Sequence, residues 1–292
     1  MKSISVIIPT YNYGRFISEA IRSALEQTQP PLETIVVDDG STDDTADVVG
    51  KFGDAVTYIR QENAGVCAAR NQGVQTSRGE LIAFLDADDI WEPEKLMKQS
   101  SRFGEDVGLV HSGIREFDAE TGDTIRMHLD GAEDDAALSL LLWEGMPVNV
   151  SGSSVMVSRT AFDTVGGFDT RMKVGEDWDF CYRIARRFKV GFVPEPLVNY
   201  RSHAAAAHRD VREMERGMSL FYAKAFADGS DVLQLRRKAL GNFHRVLSGS
   251  YYQAGDYSRC LTNAVKSLWY RPAAIRYFLE FPVRRSRYRS RQ

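Results

Sequence analysis

The chain has 292 residues, 43% hydrophobic and 26% charged, with a net charge of −3. That composition suits one large core or two modest ones and excludes disordered and fibrous classes. Residues 271 to 292 carry seven Arg against one acid, Glu280, a net +6, which leaves −9 on residues 1 to 270; an acidic body excludes a nucleic-acid-binding main domain, since phosphate contacts need clustered Lys and Arg. Cys67, Cys181 and Cys260 are odd in number and form no C-x-x-C pair, so they read as core or half-buried thiols rather than as a disulfide framework or zinc site. The first apolar run, Val6-Ile7-Ile8, stops at Pro9 and is too short for a secretion signal. No run reaches the roughly 18 apolar residues of a membrane span, and a cytosolic location is expected.

In the first ninety residues short β-like runs alternate with helical patterns, the signature of an α/β domain with a mainly parallel sheet. Ile4 to Ile8 predicts a first strand, and Phe16, Ile17, Ala20, Ile21, Ala24 and Leu25 share one helical face before Pro30-Pro31. Thr34 to Val37 predicts the second strand, and Ser41-Thr42-Asp43-Asp44 reads as a helix start. Val56 to Ile59 is a third strand, residues 66 to 76 a helix, and Leu81 to Leu85 a buried fourth strand. Asp86-Ala87-Asp88-Asp89 follows at once. Three carboxylates in four positions repel by about 1 kcal/mol per pair even in water at 4 Å. A hard divalent cation that keeps positions open for water and a substrate diphosphate relieves that repulsion; a solvated acidic loop is the other reading. Ligands in open α/β sheets bind beyond the carboxyl ends of the strands. Thr10-Tyr11-Asn12, Asp38-Asp39-Gly40-Ser41 and Asp86 to Asp89 all fall there, outlining a nucleotide-sized crevice. Asp39 could accept the imide N–H of a uracil ring, with Tyr11 on its face; a turn and helix cap is the structural alternative for Asp39.

From Leu109 the pattern changes. Glu120-Thr121-Gly122-Asp123 predicts a hairpin between 114–117 and 124–127, Ala136 to Trp143 an amphipathic helix, and Ser154 to Val157 a strand. Gly166-Gly167 marks a backbone bend. Gly175-Glu176-Asp177-Trp178-Asp179 then opens a helix carrying Phe180, Ile184, Ala185 and Phe188 on one side, and the positive end of its dipole favours an ionised Asp177, as a general base requires. Residues 204 to 292 read as a small helical appendage: a connector at 204–207 and helices over 212–227, 233–247 and 257–269. In the tail, Tyr270, Ile275, Tyr277, Phe278, Leu279, Phe281 and Val283 precede the Arg cluster. They suit either a helix on an acidic lipid surface, ended by Pro282, or a solvated terminus.

Taken together, Val6-Ile7-Ile8-Pro9-Thr10-Tyr11-Asn12, Ile35-Val36-Val37-Asp38-Asp39-Gly40-Ser41-Thr42-Asp43, Asn63-x-Gly65 with Ala69-Arg70-Asn71-x-Gly73, Phe84-Leu85-Asp86-Ala87-Asp88-Asp89, and Gly167-Phe168-Asp169 with Glu176-Asp177-Trp178-Asp179 resemble the family 2 glycosyltransferases. The match covers about residues 3 to 203. It implies a GT-A fold, Rossmann-like with a mainly parallel sheet and helices on both faces, in a nucleotide-sugar-binding and catalytic domain over 1–203, followed by the helical region 204–292. It also implies an inverting, Mg- or Mn-dependent transferase that moves a sugar from a nucleotide diphosphate donor, usually UDP-linked, to an acceptor hydroxyl in surface polysaccharide or glycolipid assembly. Position by position, Pro9, Thr10 and Tyr11 would border the nucleoside and Asp39 the base. Asp86 and Asp88 would lie near ribose and metal, with Asp88 or Asp89 the direct ligand, and Arg70 would reach the diphosphate. Asp177 would be the base, with Glu176 at the acceptor. Tyr200-Arg201-Ser202-His203 resembles a segment of the family whose His approaches the diphosphate or metal; a surface His is the alternative. A sugar nucleotidyltransferase would need a glycine-rich, basic loop where this chain has Pro9 to Arg15. A non-catalytic nucleotide-sugar-binding protein would lack the base or the metal acids.

Overall fold

A computed structural model describes residues 2–133, 135–144, 148–149, 152–203, 210–228 and 230–280. The first segments follow the predicted order: β1 (Ile4–Thr10), α1 (Gly14–Leu25), β2 (Glu33–Asp38), α2 (Thr45–Gly50), β3 (Thr57–Arg60), α3 (Val66–Thr76) and β4 (Leu81–Phe84). Their strands pair in parallel, β3-β2-β1-β4. Both faces of the inner strands β1, β2 and β4 are covered, which is why these read as apolar runs, whereas the edge strand β3 is largely exposed. Ile17, Ala20, Ile21 and Ala24 of α1 pack with Ile4, Val6 and Ile8 in one core. On the other face α3 comes so close to β1 that a Cβ on Gly73 would lie 2.4 Å from Ile7 Cγ2.

Beyond β4 the chain departs from simple alternation. A two-residue strand, β5 (Ile90–Trp91), and α4 (Lys95–Ser100) follow the acidic loop, then β6 (Val107–Asp118), β7 (Thr124–His128) and α5 (Ala136–Leu142). After a 3-10 turn at Gly152–Ser154 come β8 (Met156–Ser158), α6 (Arg159–Val165), α7 (Glu176–Ala185) and β9 (Lys189–Ser202). The sheet continues β4-β8-β6-β9-β5, with β7 on β6. Only β6 and β9 are parallel in this half; β4–β8, β6–β8, β6–β7 and β5–β9 are antiparallel. The sheet is therefore mixed, with its parallel character concentrated in the first four strands. β9, α6, α4 and β5 were not predicted. Pro194 and Pro196 argue against a strand in the sequence, and β9 absorbs them where the β6–β9 register shifts between Ser112 and Gly113. Gly113 lets the chain through: a Cβ there would lie 2.7 Å from the Glu195 carbonyl oxygen.

The chain separates into two compact units, Met1–Leu140 with Met146–Ala207, and Leu141–Gly145 with His208–Gln292. The second unit contains α8 (Val211–Asp228), a 3-10 turn at Ser230–Leu235, α9 (Arg236–Gln253), α10 (Tyr257–Tyr270) and, after a turn at Pro272–Ala274, α11 (Ile275–Leu279). The Asp256 side chain caps α10 by accepting from the Arg259 N–H. The connector at 204–207 and the tail from Phe281 through Pro282 and Val283 to the Arg cluster lie outside the described residues. Among the described residues no helix is long and apolar enough to cross a membrane.

Candidate active site

The ends of β1 and β2 meet through the Asp39 N–H, which donates to the Thr10 carbonyl at 2.8 Å. Pro9 and Thr10 are buried, whereas Tyr11 is 45% exposed at the rim. Asn12 turns the chain with φ 59, a left-handed conformation that Asn tolerates better than most residues. Its Oδ1 accepts from the Thr42 N–H at 2.7 Å, binding the first two loops together. Asp39 is engaged more heavily than its expected task requires. One oxygen accepts from Gln61 Nε2 and the Ala64 N–H, and the other from the Gly65 N–H, at 2.7 to 2.9 Å. The carboxylate thus holds the loop that starts α3, and three bonds leave about one of its acceptor positions open.

The acidic loop between β4 and β5 is shaped by β9. Because β5 pairs with the end of β9, Ile90 opposite Asn199, the segment from Tyr200 to His203 is brought alongside Asp88 and Asp89. His203 Nε2 lies 2.9 Å from Asp88 Oδ2, and His203 Nδ1 is buried with no hydrogen-bond partner among the described residues. Burial and the neighbouring Asp86 charge push the Asp88 carboxyl up. Asp89 is 1% exposed and accepts from the Arg201 N–H at 3.0 Å and from Ser153 Oγ at 2.6 Å. Burial, Asp88 and Asp86 all raise its carboxyl well above the usual range. Of the two candidate ligands, Asp89 is turned into the protein and anchors the loop, while Asp88 faces His203.

Arg70 differs most from expectation. Its side chain is 3% exposed. Its fork meets Asp86 at 2.8 Å, Asp177 at 2.8 Å and Glu176 at 3.2 Å. Three carboxylates around one guanidinium leave little room for a diphosphate on the same nitrogens; Arg70 instead joins the acidic loop to the start of α7. Asp177 remains 18% exposed. Burial, opposed by Arg70 and reinforced by Glu176 and Asp86, raises its carboxyl to about 7. The paired glycines bend as predicted: Gly166 and Gly167 have φ of 80 and 72. Asn71 then clamps the chain by accepting from the Phe168 N–H and donating to its carbonyl, both at 2.9 Å.

Several residues of the site carried no assigned role in the sequence. Tyr13 hydrogen-bonds Asp88, and its phenol is raised mainly by burial; the only hint was a second Tyr two places after Tyr11. Arg201 donates through Nε to the Asp88 carbonyl at 2.8 Å and lies over the Phe16 and Phe117 rings. Least legible is the turn Gly152-Ser153-Ser154. The Gly152 backbone hydrogen-bonds Asp177. Ser153 Oγ accepts from the Asp86 N–H at 2.9 Å while donating to Asp89, and the Ser153 carbonyl accepts from Trp91 Nε1 at 2.9 Å. One short turn thus touches both the acidic loop and Asp177.

Among the described residues no three His, Cys, Asp or Glu side chains converge as a ready metal cage. Asp88 and His203 offer one oxygen and one nitrogen ligand. The carboxylate fits Mg or Mn, which is commonly held by one or two carboxylates with substrate phosphates and water completing the shell, whereas the imidazole is the less usual ligand for either ion.

The architecture and sequence match known proteins. Residues 5–166 fit the family model of "Glycosyl transferase family 2". An uncharacterised glycosyltransferase of Rickettsia prowazekii is 31% identical over 206 residues, 69% of this chain, and the match spans 64% of that relative's length. S. aureus TarS, solved in complex with UDP, shares the fold at TM-score 0.59 and 17% identity, over 91% of both chains. A mannosyltransferase of Pyrobaculum calidifontis, solved with GDP-Man and Mn2+, does so at TM-score 0.62 and 20% identity, over 92% of this chain and 88% of that one. The mixed α/β fold is that of GT-A glycosyltransferase structures, and the chain belongs to glycosyl transferase family 2.

Proposed function

We propose that this chain moves a sugar from a nucleotide diphosphate-sugar, UDP-linked before others, to a hydroxyl of a saccharide or lipid-linked acceptor, with inversion at the anomeric carbon. The observation that carries this reading is the position of Asp177. It is a partly exposed carboxylate, raised mainly by burial to about 7 and held by the same Arg70 guanidinium that holds Asp86 of the acidic loop. A general base acts best with a pKa near the working pH. In the proposed step Asp177 takes the acceptor proton as the hydroxyl oxygen bonds the anomeric carbon. The bond from that carbon to the diphosphate oxygen breaks, and its electron pair leaves with the nucleoside diphosphate. One displacement from the opposite face inverts the centre, so no carboxylate nucleophile is needed.

The other residues follow from their places. Pro9, Thr10, the exposed Tyr11 ring and the open acceptor position of Asp39 border the nucleoside, Asp86 the ribose, and Glu176 the acceptor. Arg70 is assigned to orienting Asp177 rather than to the diphosphate. Asp88 and His203 would hold the Mn or Mg ion, with Asp89 supporting the loop from behind. When bound, the cation supplies positive charge to the departing diphosphate. The UDP and the GDP-Man with Mn2+ in the two structural neighbours support a nucleotide-sugar donor and a metal.

A panel of UDP-, GDP- and dTDP-sugars assayed for nucleoside diphosphate release with Mn2+ tests the reading. It predicts release with at least one donor and its loss in Asp88→Ala. Donor binding without release from any sugar, with or without added saccharide acceptors, would favour a binding protein instead.

A further inference from the structure

The second unit contains a helix packed the wrong way round for water. In α10 the two buried residues facing α9, Asn263 and Ser267, are small or polar, and at the end of the helix Tyr270 stacks on His244. Ser267 Oγ donates to the Gly241 carbonyl at 2.8 Å, Asn263 Oδ1 meets His244 Nδ1 at 2.8 Å, and Ser248 Oγ donates to the Cys260 carbonyl at 3.0 Å. Asn263 and Ser267 are buried. The outward face carries Tyr257, Leu261, Val265 and Trp269, spaced four residues apart and 66%, 67%, 60% and 76% exposed. An amphipathic helix ordinarily buries its apolar stripe against its own core. Ile275 and Leu279 of α11 are also exposed, at 49% and 71%.

We infer that α10 is a lipid-docking helix that lies flat in the headgroup region of an anionic bilayer, with Leu261, Val265 and Trp269 inserted. Charge selects this occupant. From Tyr257 to Gln292 the chain has nine Lys and Arg against one acid, Glu280, a net +8, which leaves −11 on the first 256 residues. The stretch that exposes the apolar stripe is also the basic part of an otherwise acidic protein. Basic side chains beside an apolar helix face are the features that hold a helix at an acidic lipid surface. In the described part of that stretch, residues 257–280, Arg259, Lys266, Arg271 and Arg276 stand against Glu280, so a second copy joined through the same face would set +3 against +3, which opposes self-association. An exposed Trp suits the boundary, with its ring in the apolar layer and its N–H in the wet one. This inference concerns a surface of the second unit and stands or falls apart from the proposed reaction.

Vesicle co-sedimentation of the full chain tests it, with phosphatidylcholine alone compared against a mixture containing about 30% phosphatidylglycerol, since anionic headgroups should raise partitioning by roughly tenfold or more. Raising the salt should weaken it. Leu261→Glu with Trp269→Glu should lower partitioning on anionic vesicles by at least about tenfold, because charges replace inserted apolar groups; both residues are exposed, and circular dichroism checks the fold. If that double variant does not fold, Val265→Gln serves in its place. Trp269 emission, read as wild type minus Trp269→Phe, should shift to the blue on adding the anionic vesicles. The inference is overturned if wild type stays in the supernatant, if the stripe variants sediment as wild type does while a chain ending at Glu280 does not, or if wild type self-associates through this face without binding vesicles.

Discussion

Arg70 shares its donors among Asp86, Glu176 and Asp177, so one positive charge answers three negative ones. Burial first, against the pull of Arg70, and then the neighbouring Glu176 and Asp86 charges raise the Asp177 carboxyl to about 7. A base acts when ionised, and a carboxyl raised to that value is mostly protonated below it. Transfer, as kcat/KM, should therefore rise through about pH 7 and level off near pH 8; a profile flat across this range would remove Asp177 from the step. Gly152 tests the same cluster from the other side. A Cβ there would lie 2.4 Å from an Arg70 Nη and 2.9 Å from an Asp86 oxygen. Gly152→Ala should lose transfer and cost about 1–3 kcal/mol of stability by overpacking, read from the melting midpoint and the initial rate. Asp88 and Asp177 were legible because an acid after an apolar run, or at a helix start behind glycine, has local meaning. Ser153 and Gly152 were not, since Ser153 finds Asp89 across 64 positions and nothing around a lone Gly-Ser-Ser reveals its neighbour.

At the scale of elements, the first four strands and three helices could be read in the sequence because each signal is local: continuous apolar strands, helical spacing, and turns of Gly, Asp and Pro. The close approach of α3 to β1 depends on Gly73, and Gly73→Ala should lower the urea midpoint by an amount equivalent to about 1–3 kcal/mol; an unchanged midpoint would mean that the two elements separate at no cost. β9 escaped because its fourteen residues include two prolines and gain strand character only from pairing with β6 and β5. That hidden strand matters, since it delivers Arg201 and His203 to the acidic loop. In α10 the helical period was legible but not which side faces inward. Periodicity shows that an apolar stripe exists, whereas Ser267, Asn263 and Gly241 decide that it points out.

For the whole molecule, the split of charge between an acidic body and a basic end was visible from composition alone. The mixed character of the sheet beyond β4 was not, because antiparallel and parallel partners are chosen by long-range register. The account as a whole requires that binding a donor and transferring its sugar be separable through Asp177. The most direct measurement pairs calorimetric titration of UDP in Mn2+ with single-turnover transfer for wild type and Asp177→Asn. The account predicts UDP affinity within a few-fold of wild type and transfer slower by about 10²–10⁴-fold, the usual contribution of a positioned base. Transfer by Asp177→Asn at the wild-type rate, with equal UDP binding, would contradict it.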